Sequence, residues 1–234
     1  MGTWSVVNTT TGQTSGSGGS SITLTIPSTA AGSALVVFSA SSHNSPSAIS
    51  SVTSNTGSPV WVHPTGCSAN DTTNGEVDGA YCLAIPTGTT SVTVNWAAGN
   101  GTFGTMTVYE IANTVGIAFD NCNATDDSTS STSLAAPSLS ITGGNDIFLQ
   151  ACLSANVSSI NLSYTLTTDQ NVNGFAYLLN QPSYSAPTWT NSPAAPGAVA
   201  VIAMKEPSST VFEDDSFQFS MSVFKPVEQN VSVW

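Results

Sequence analysis

The chain reads as an all-β protein: an antiparallel β-sandwich of jelly-roll or immunoglobulin-like type, built from two weakly similar halves, with a C-terminal strand extension. Three observations predict it. Apolar and polar residues alternate in short runs, the period of a half-buried strand. Clusters of Gly, Pro, Asn and Ser punctuate those runs, as in "TSGSGGS", "SNTGSP", "PTGTT" and "NSPAAPG". No window combines a helical apolar period with helix caps.

In chain order, "SITLTI" sets Ile22, Leu24 and Ile26 on one face. "SALVVFSA" is apolar on both faces and suits a central strand. "TSVTVNW" groups Val92, Val94 and Trp96, and "FGTMTVYEIA", "NDIFLQACLS", "GFAYLLN" and "GAVAVIAM" follow the same logic. These runs repeat. "GAYCLAIPTGTTSVTVNW" is echoed by "GFAYLLNQPSYSAPTWT", each with a Trp near its end, and "LTIPSTAAGSALVVFSASS" by "LSITGGNDIFLQACLSANVSS". The halves run over 20–113 and 136–207, with "NCNATDDSTSSTS" as the crossover. A half alone would leave an apolar face uncovered, so both are expected to share one core within a single body, 1–207. The matched Trp96 and Trp189 then belong to that core.

Residues 208–234 stand apart as an extension. In it Phe217, Phe219, Met221 and Val223 alternate with polar residues, and Val231, Val233 and Trp234 form a second short stretch beyond Lys225-Pro226. No later strand follows to cover that face. The extension is therefore expected to pair along an exposed sheet edge or pack on a sheet of a neighbouring copy, by strand addition, the alternative being that it folds back onto its own sandwich.

Composition narrows the function. Fourteen carboxylates face two lysines and no arginine, for a net charge of −12. A chain so poor in cations does not neutralise phosphate, which excludes nucleic acid and anionic membrane as partners. No apolar run has the length of a membrane span, so no membrane insertion is expected. The start "MGTWSVVNTTTG" has neither a basic nor an apolar leader region and reads as lacking a signal peptide. With 40% hydrophobic residues in alternating runs, the chain is not a disordered one.

The residues that could carry chemistry are few. His43 and His63 are the two histidines, and no nucleophile elbow, zinc-protease helix motif or phosphate loop occurs, so no enzyme is expected. Oxygen ligands cluster in "ANDTTNGEVDG" (Asp71, Asn74, Glu76, Asp78) and "DNCNATDD" (Asp120, Asn123, Asp126, Asp127). Each is either a solvated acidic loop or a calcium site, since hard cations take several carboxylate and amide oxygens; no other cofactor is expected. Cys67, Cys82, Cys122 and Cys152 allow a Cys67–Cys82 bridge closing a loop and a Cys122–Cys152 bridge, or buried free thiols in "AYCLAI" and "LQACLS". Glu110 shares the core face of its strand with Met106 and Val108. If buried it needs a partner, and Lys205 is a candidate for an ion pair or a covalent Lys–acid link. Trp61, in "SPVWVHP", is the tryptophan best placed for stacking on a sugar.

Taken together, "ITLTIPSTAAGSALVV", "AISSVTSNTGSPVW", "AYCLAIPTGTTSVTVNW" and "MTVYEIAN" resemble a type of β-sandwich found in tailed-bacteriophage virion proteins and bacterial extracellular surface proteins. The likeness covers about residues 20 to 206, rests on short motifs and carries over no catalytic residue. It implies a structural subunit of an extracellular assembly, foremost a virion surface or decoration protein whose partners are its own copies or other virion proteins. The alternatives are a secreted carbohydrate-binding or adhesive module and a pilus-like filament subunit.

Overall fold

The computed structural model describes residues 1–14, 19–42, 48–73, 75–97, 103–169 and 173–208. The strand expected within 216–234, with Phe217, Phe219, Met221, Val223, Val231, Val233 and Trp234, lies outside them, as do His43 and Asn74. The described chain is all-β, with antiparallel pairing throughout three sheets.

The strands are β1 (Trp4–Gln13), β2 (Ser21–Thr25), β3 (Ala34–Ser42), β4 (Ile49–Ser54), β5 (Ala69–Asn70), β6 (Glu76–Cys82) and β7 (Ser91–Trp96). They continue with β8 (Phe103–Asn113), β9 (Ala118–Ala135), β10 (Asp146–Leu153), β11 (Val157–Ile160), β12 (Thr165–Thr168), β13 (Gly174–Gln181) and β14 (Thr188–Lys205). A five-stranded sheet runs β1-β8-β3-β6-β5, a three-stranded sheet β2-β7-β4, and a six-stranded sheet β11-β14-β10-β13-β12 with β9 also on β14.

The sheets lie in layers. Leu35 and Val37 turn one face of the five-stranded sheet toward Ile22, Val92, Val94 and Trp96 of the three-stranded sheet. Val36 and Phe38 turn the other face toward Ile147, Leu149, Ala200 and Ile202 of the six-stranded sheet. A third cluster, around Phe148, Val199 and Trp189, fills the far face of the six-stranded sheet. Burial on both faces is why β3, β10 and the end of β14 are apolar at nearly every position instead of alternating. The single shared core expected from the sequence is thus one of three: a sheet covered on both faces needs apolar contacts on both.

Two pairing orders can be set side by side. Up to Asn113 the order is β1-β8-β3-β6-β5; from Ala118 it is β9-β14-β10-β13-β12. Likewise β7 lies between β2 and β4, and the start of β14 lies between the end of β9 and β11. The tryptophans follow suit. Trp96 Nε1 donates to Ser39 Oγ at 2.8 Å, and Trp189 Nε1 to Gln150 Oε1 at 3.2 Å. Close packing at Trp189 also fixes Gly174, where a Cβ would stand 2.5 Å from the indole ring.

One segment departs from expectation. "NCNATDDSTSSTS" is no crossover loop but part of the 18-residue strand β9. Its polar alternation gives no hydrophobic signal because β9 pairs on one side only, with β14, and is largely half-exposed.

Candidate functional site

Three neighbouring strands, β9, β14 and β10, bring charged groups together at the end of the six-stranded sheet. Ile147 pairs with Met204, so Asp146 begins β10 beside Lys205, the last residue of β14. On the other side of β14 the register slips: Ala203 pairs with Asn121 and Met204 with Phe119, which leaves Asp120 as the extra residue of a bulge. Bulges re-aim side chains, and here the carboxylate meets Lys205, with Nζ 3.0 Å from Oδ1.

The segment after β9 crosses this corner and is pinned to it. Asn123 Nδ2 donates to Ser138 O, and Asn121 Nδ2 to Ser140 O. At Asp120, Oδ2 accepts the backbone N–H groups of Thr142 at 2.7 Å and Gly143 at 3.2 Å. The Thr142 hydroxyl donates to Asp120 Oδ1 and accepts from Lys205 Nζ at 2.6 Å. Burial alone would raise the pKa of Asp120, but the donors of Thr142, Lys205 and Gly143 outweigh it and hold the carboxyl well below the usual range. The Asp120 side chain is 1% exposed and that of Lys205 22%.

Asp146 completes the corner. It is fully buried, and neither carboxylate oxygen makes a well-formed hydrogen bond. Burial, then the charge of Asp120 and a hydrogen bond to it, push Asp146 up to about 7, against the Lys205 charge and the Asn145 backbone N–H. Its neutral form solves the problem, because the hydroxyl then donates toward Asp120. Two carboxyls and one ammonium thus meet at one corner, open to solvent on the side of Thr142.

The sequence expectations fare unevenly against this geometry. Asp120 serves Lys205, Thr142 and Gly143, while Asp126 is exposed and the half-exposed Asp127 bonds Thr129. In the first acidic stretch Asp71 accepts the N–H groups of Thr73 and Gly75 within its own turn. Asp78 accepts Ile49 N, Gly79 N and His63 Nε2, the last at 2.7 Å. Glu76 is buried beside it with Oε2 unpartnered. Desolvation and Asp78 raise Glu76 to about 7, against pulls from Ser68 and His63. Among the described residues no group of three or more His, Cys, Asp or Glu is placed to hold a metal ion, and Asn74 of the first stretch lies outside them.

The expected disulfides are corrected. Cys67 pairs with Cys122, and Cys82 and Cys152 are buried free thiols. Cys82 lies in β6 and Cys152 in β10, inside the second and third apolar clusters, whereas Cys67 and Cys122 meet in the core between the five- and six-stranded sheets. The Glu110–Lys205 pairing is also corrected. Glu110 faces the three-stranded sheet, on the far side from Lys205, and accepts Asn8 Nδ2 at 2.6 Å and Ala30 N at 2.7 Å.

Trp61 is half-buried and packs against the second cluster, with its Nε1 unpartnered. It lines a cleft of about 290 Å³ with Ser51, His63 and Ala80. Pro59 and Val62 border both this cleft and an apolar one of about 410 Å³ that Val60, Leu83 and Pro86 also line.

Asp146 and Thr142 are absent from the sequence reading. Their signal is a carboxylate opening the otherwise apolar run "NDIFLQACL", a position both faces of which are covered. No protein-family model, curated protein or solved structure matches the chain.

Proposed function

We propose that the chain is a structural subunit of an extracellular assembly, foremost a surface or decoration protein of a bacteriophage virion. Its body is a doubled β-sandwich of jelly-roll or immunoglobulin-like type, and 216–234 is its connecting strand. The observation that carries this reading is the Cys67–Cys122 bridge. It spans 55 residues and joins a loop of the first eight strands to β9, and such bridges belong to oxidising surroundings. The matched strand orders support doubling, and the uncharged polar coat suits a displayed surface.

The connecting role is tested by deleting 211–234 and comparing assembly by light scattering and electron microscopy. The truncated chain is expected to keep its cooperative melt and lose assembly. Normal assembly without the tail overturns the role.

A second reading, glycan binding, is favoured by the unpartnered Trp61 Nε1 beside the His63 cleft. A glycan array probed with the native chain and with Trp61→Ala separates the two. Hits lost in the variant support the module reading, and a blank array removes it.

A further inference from the structure

We propose that Lys205 and Asp120 condense into an intramolecular amide, with Asp146 as the acid, so that β14 is covalently locked to β9. Three features of the corner point there. The amine and the carboxyl are already in contact, Nζ to Oδ1 at 3.0 Å, on adjacent strands that hold them in place. Asp120 Oδ2 rests on two backbone donors, Thr142 N and Gly143 N, an arrangement that stabilises negative charge on a tetrahedral centre. Asp146 is fully buried and neither of its oxygens makes a well-formed hydrogen bond, a costly arrangement for a purely structural carboxylate and a useful one for a neutral acid beside the reacting carboxyl.

The step balances. A proton passes from the Lys205 ammonium to Asp120 Oδ1, directly or through the Thr142 hydroxyl that bonds both groups. The freed amine attacks Asp120 Cγ, and the charge gathers on Oδ2. Asp146 gives its proton to Oδ1, which leaves as water, and regains one from the nitrogen. One C–N bond forms, one C–O bond breaks, one water is released and nothing is oxidised or reduced. The event happens once per chain and the net charge does not change.

The consequence is mechanical. Beyond Lys205 the chain passes through Glu206 to the tail. A load on the tail would run through the Lys205–Asp120 amide into β9 and then, next but one along that strand, through Cys122 to Cys67. It would bypass the hydrogen bonds between β14 and its neighbours. This inference stands apart from the identity of the assembly, since it concerns only whether the bond forms.

The test uses the full-length chain, reduced and denatured. Its intact mass is expected to fall one water below the sequence mass, with a linked Lys205–Asp120 peptide pair in tandem mass spectra. Trypsin gives a second readout. The chain has no arginine and Lys225 precedes Pro226, so Lys205 is the one cleavable site, and the amide should protect it. Lys205→Arg keeps the cation but cannot condense. It should melt cooperatively, have its full sequence mass and be cut in two. Asp146→Asn should fold, keep the full mass and also be cut. A native chain at full sequence mass and cut at Lys205, both fresh and after long incubation near neutral pH, overturns the proposal in favour of a plain ion pair. An Asp146→Asn chain that still loses water overturns the role of Asp146.

Discussion

The strands up to Asn113 and those from Ala118 follow the same order of partners but cover their outer faces differently. In the first region the chain breaks between β1 and β2 and between β7 and β8. The strands β2-β7-β4 can therefore lift away as a separate sheet and cover the five-stranded one with aliphatic side chains. In the second region β9 and β14 each run 18 residues, and the described residues form no separate sheet. The outer face is instead covered by Leu139, Ile141, Tyr164 and Tyr184 from connecting segments. Irregular chain brings polar groups inward that a sheet would have paired. Gln150 accordingly takes the Trp189 N–H and donates to Tyr164 Oη at 2.9 Å, while Tyr184 Oη donates to Pro137 O at 3.1 Å. Beneath Trp96 the counterpart is Ser39, which passes the bond on to Thr105 O at 3.3 Å. One strand order thus accepts either a sheet or a loop as cover, and the loop requires a buried polar network.

The largest test of that contrast is Trp189→Ala. It removes a fully buried indole and leaves Gln150 Oε1 without its donor, at a cost of about 3–5 kcal/mol. Trp96→Ala should cost less, because the Ser39 hydroxyl can turn to another partner. Urea unfolding of both variants decides it. A Trp96→Ala loss equal to or above that of Trp189→Ala breaks the contrast. Cys67→Ser comes next. Opening a closure of 55 residues removes up to about 4 kcal/mol in the chain-entropy account. The midpoint should shift with an unchanged slope if both regions unfold together. A reduced slope, or two transitions, would mean that the two-layered first region stands without its partner.

What could be read from the sequence follows the burial. Strands apolar on one or both faces, such as β3, β7, β10 and β13, announce themselves, and so do the matched tryptophans. The short β4, β5, β11 and β12 escape, and so do the long β1 and β9, each pairing on one side only, with β8 and β14 respectively. "NTTTGQ" and "NCNATDDSTSSTS" are polar and largely half-exposed or exposed, so neither has a hydrophobic period to detect. The site was hidden for a related reason. Asp120 looks like part of an acidic loop until the bulge in β9 turns it toward Lys205, and a bulge is a property of the pairing, not of the segment alone. The disulfide escaped because spacing favours local bridges, while Cys67 and Cys122 are brought together by packing between sheets. Glu110 went wrong by one face: its burial was legible, but the layer it faced was not.

The smallest expected effect separates the regions by pH. In the first region Glu76 lies buried against Asp78 and His63, and its folded value of about 7 is above the ordinary 4.5. Below its unfolded value Glu76 is neutral in both states and costs nothing. As pH rises toward 7 the unfolded chain ionises first, so folding must hold back a proton and stability falls. His63 acts in the same direction. Its bond to Asp78 raises its value above 6.5, so the stabilisation it provides is full below that pH and fades as pH rises through the folded value. The melting temperature should therefore drop by a few degrees between about pH 5 and pH 8. Glu76→Gln should flatten most of this slope, and His63→Gln the remainder near neutrality. Asp146 would add a parallel slope from the second region, which Asp146→Asn removes independently. A native slope unaffected by Glu76→Gln, but abolished by Asp146→Asn, would assign the pH response to the β9–β10–β14 corner and leave the His63 pair without a part in it.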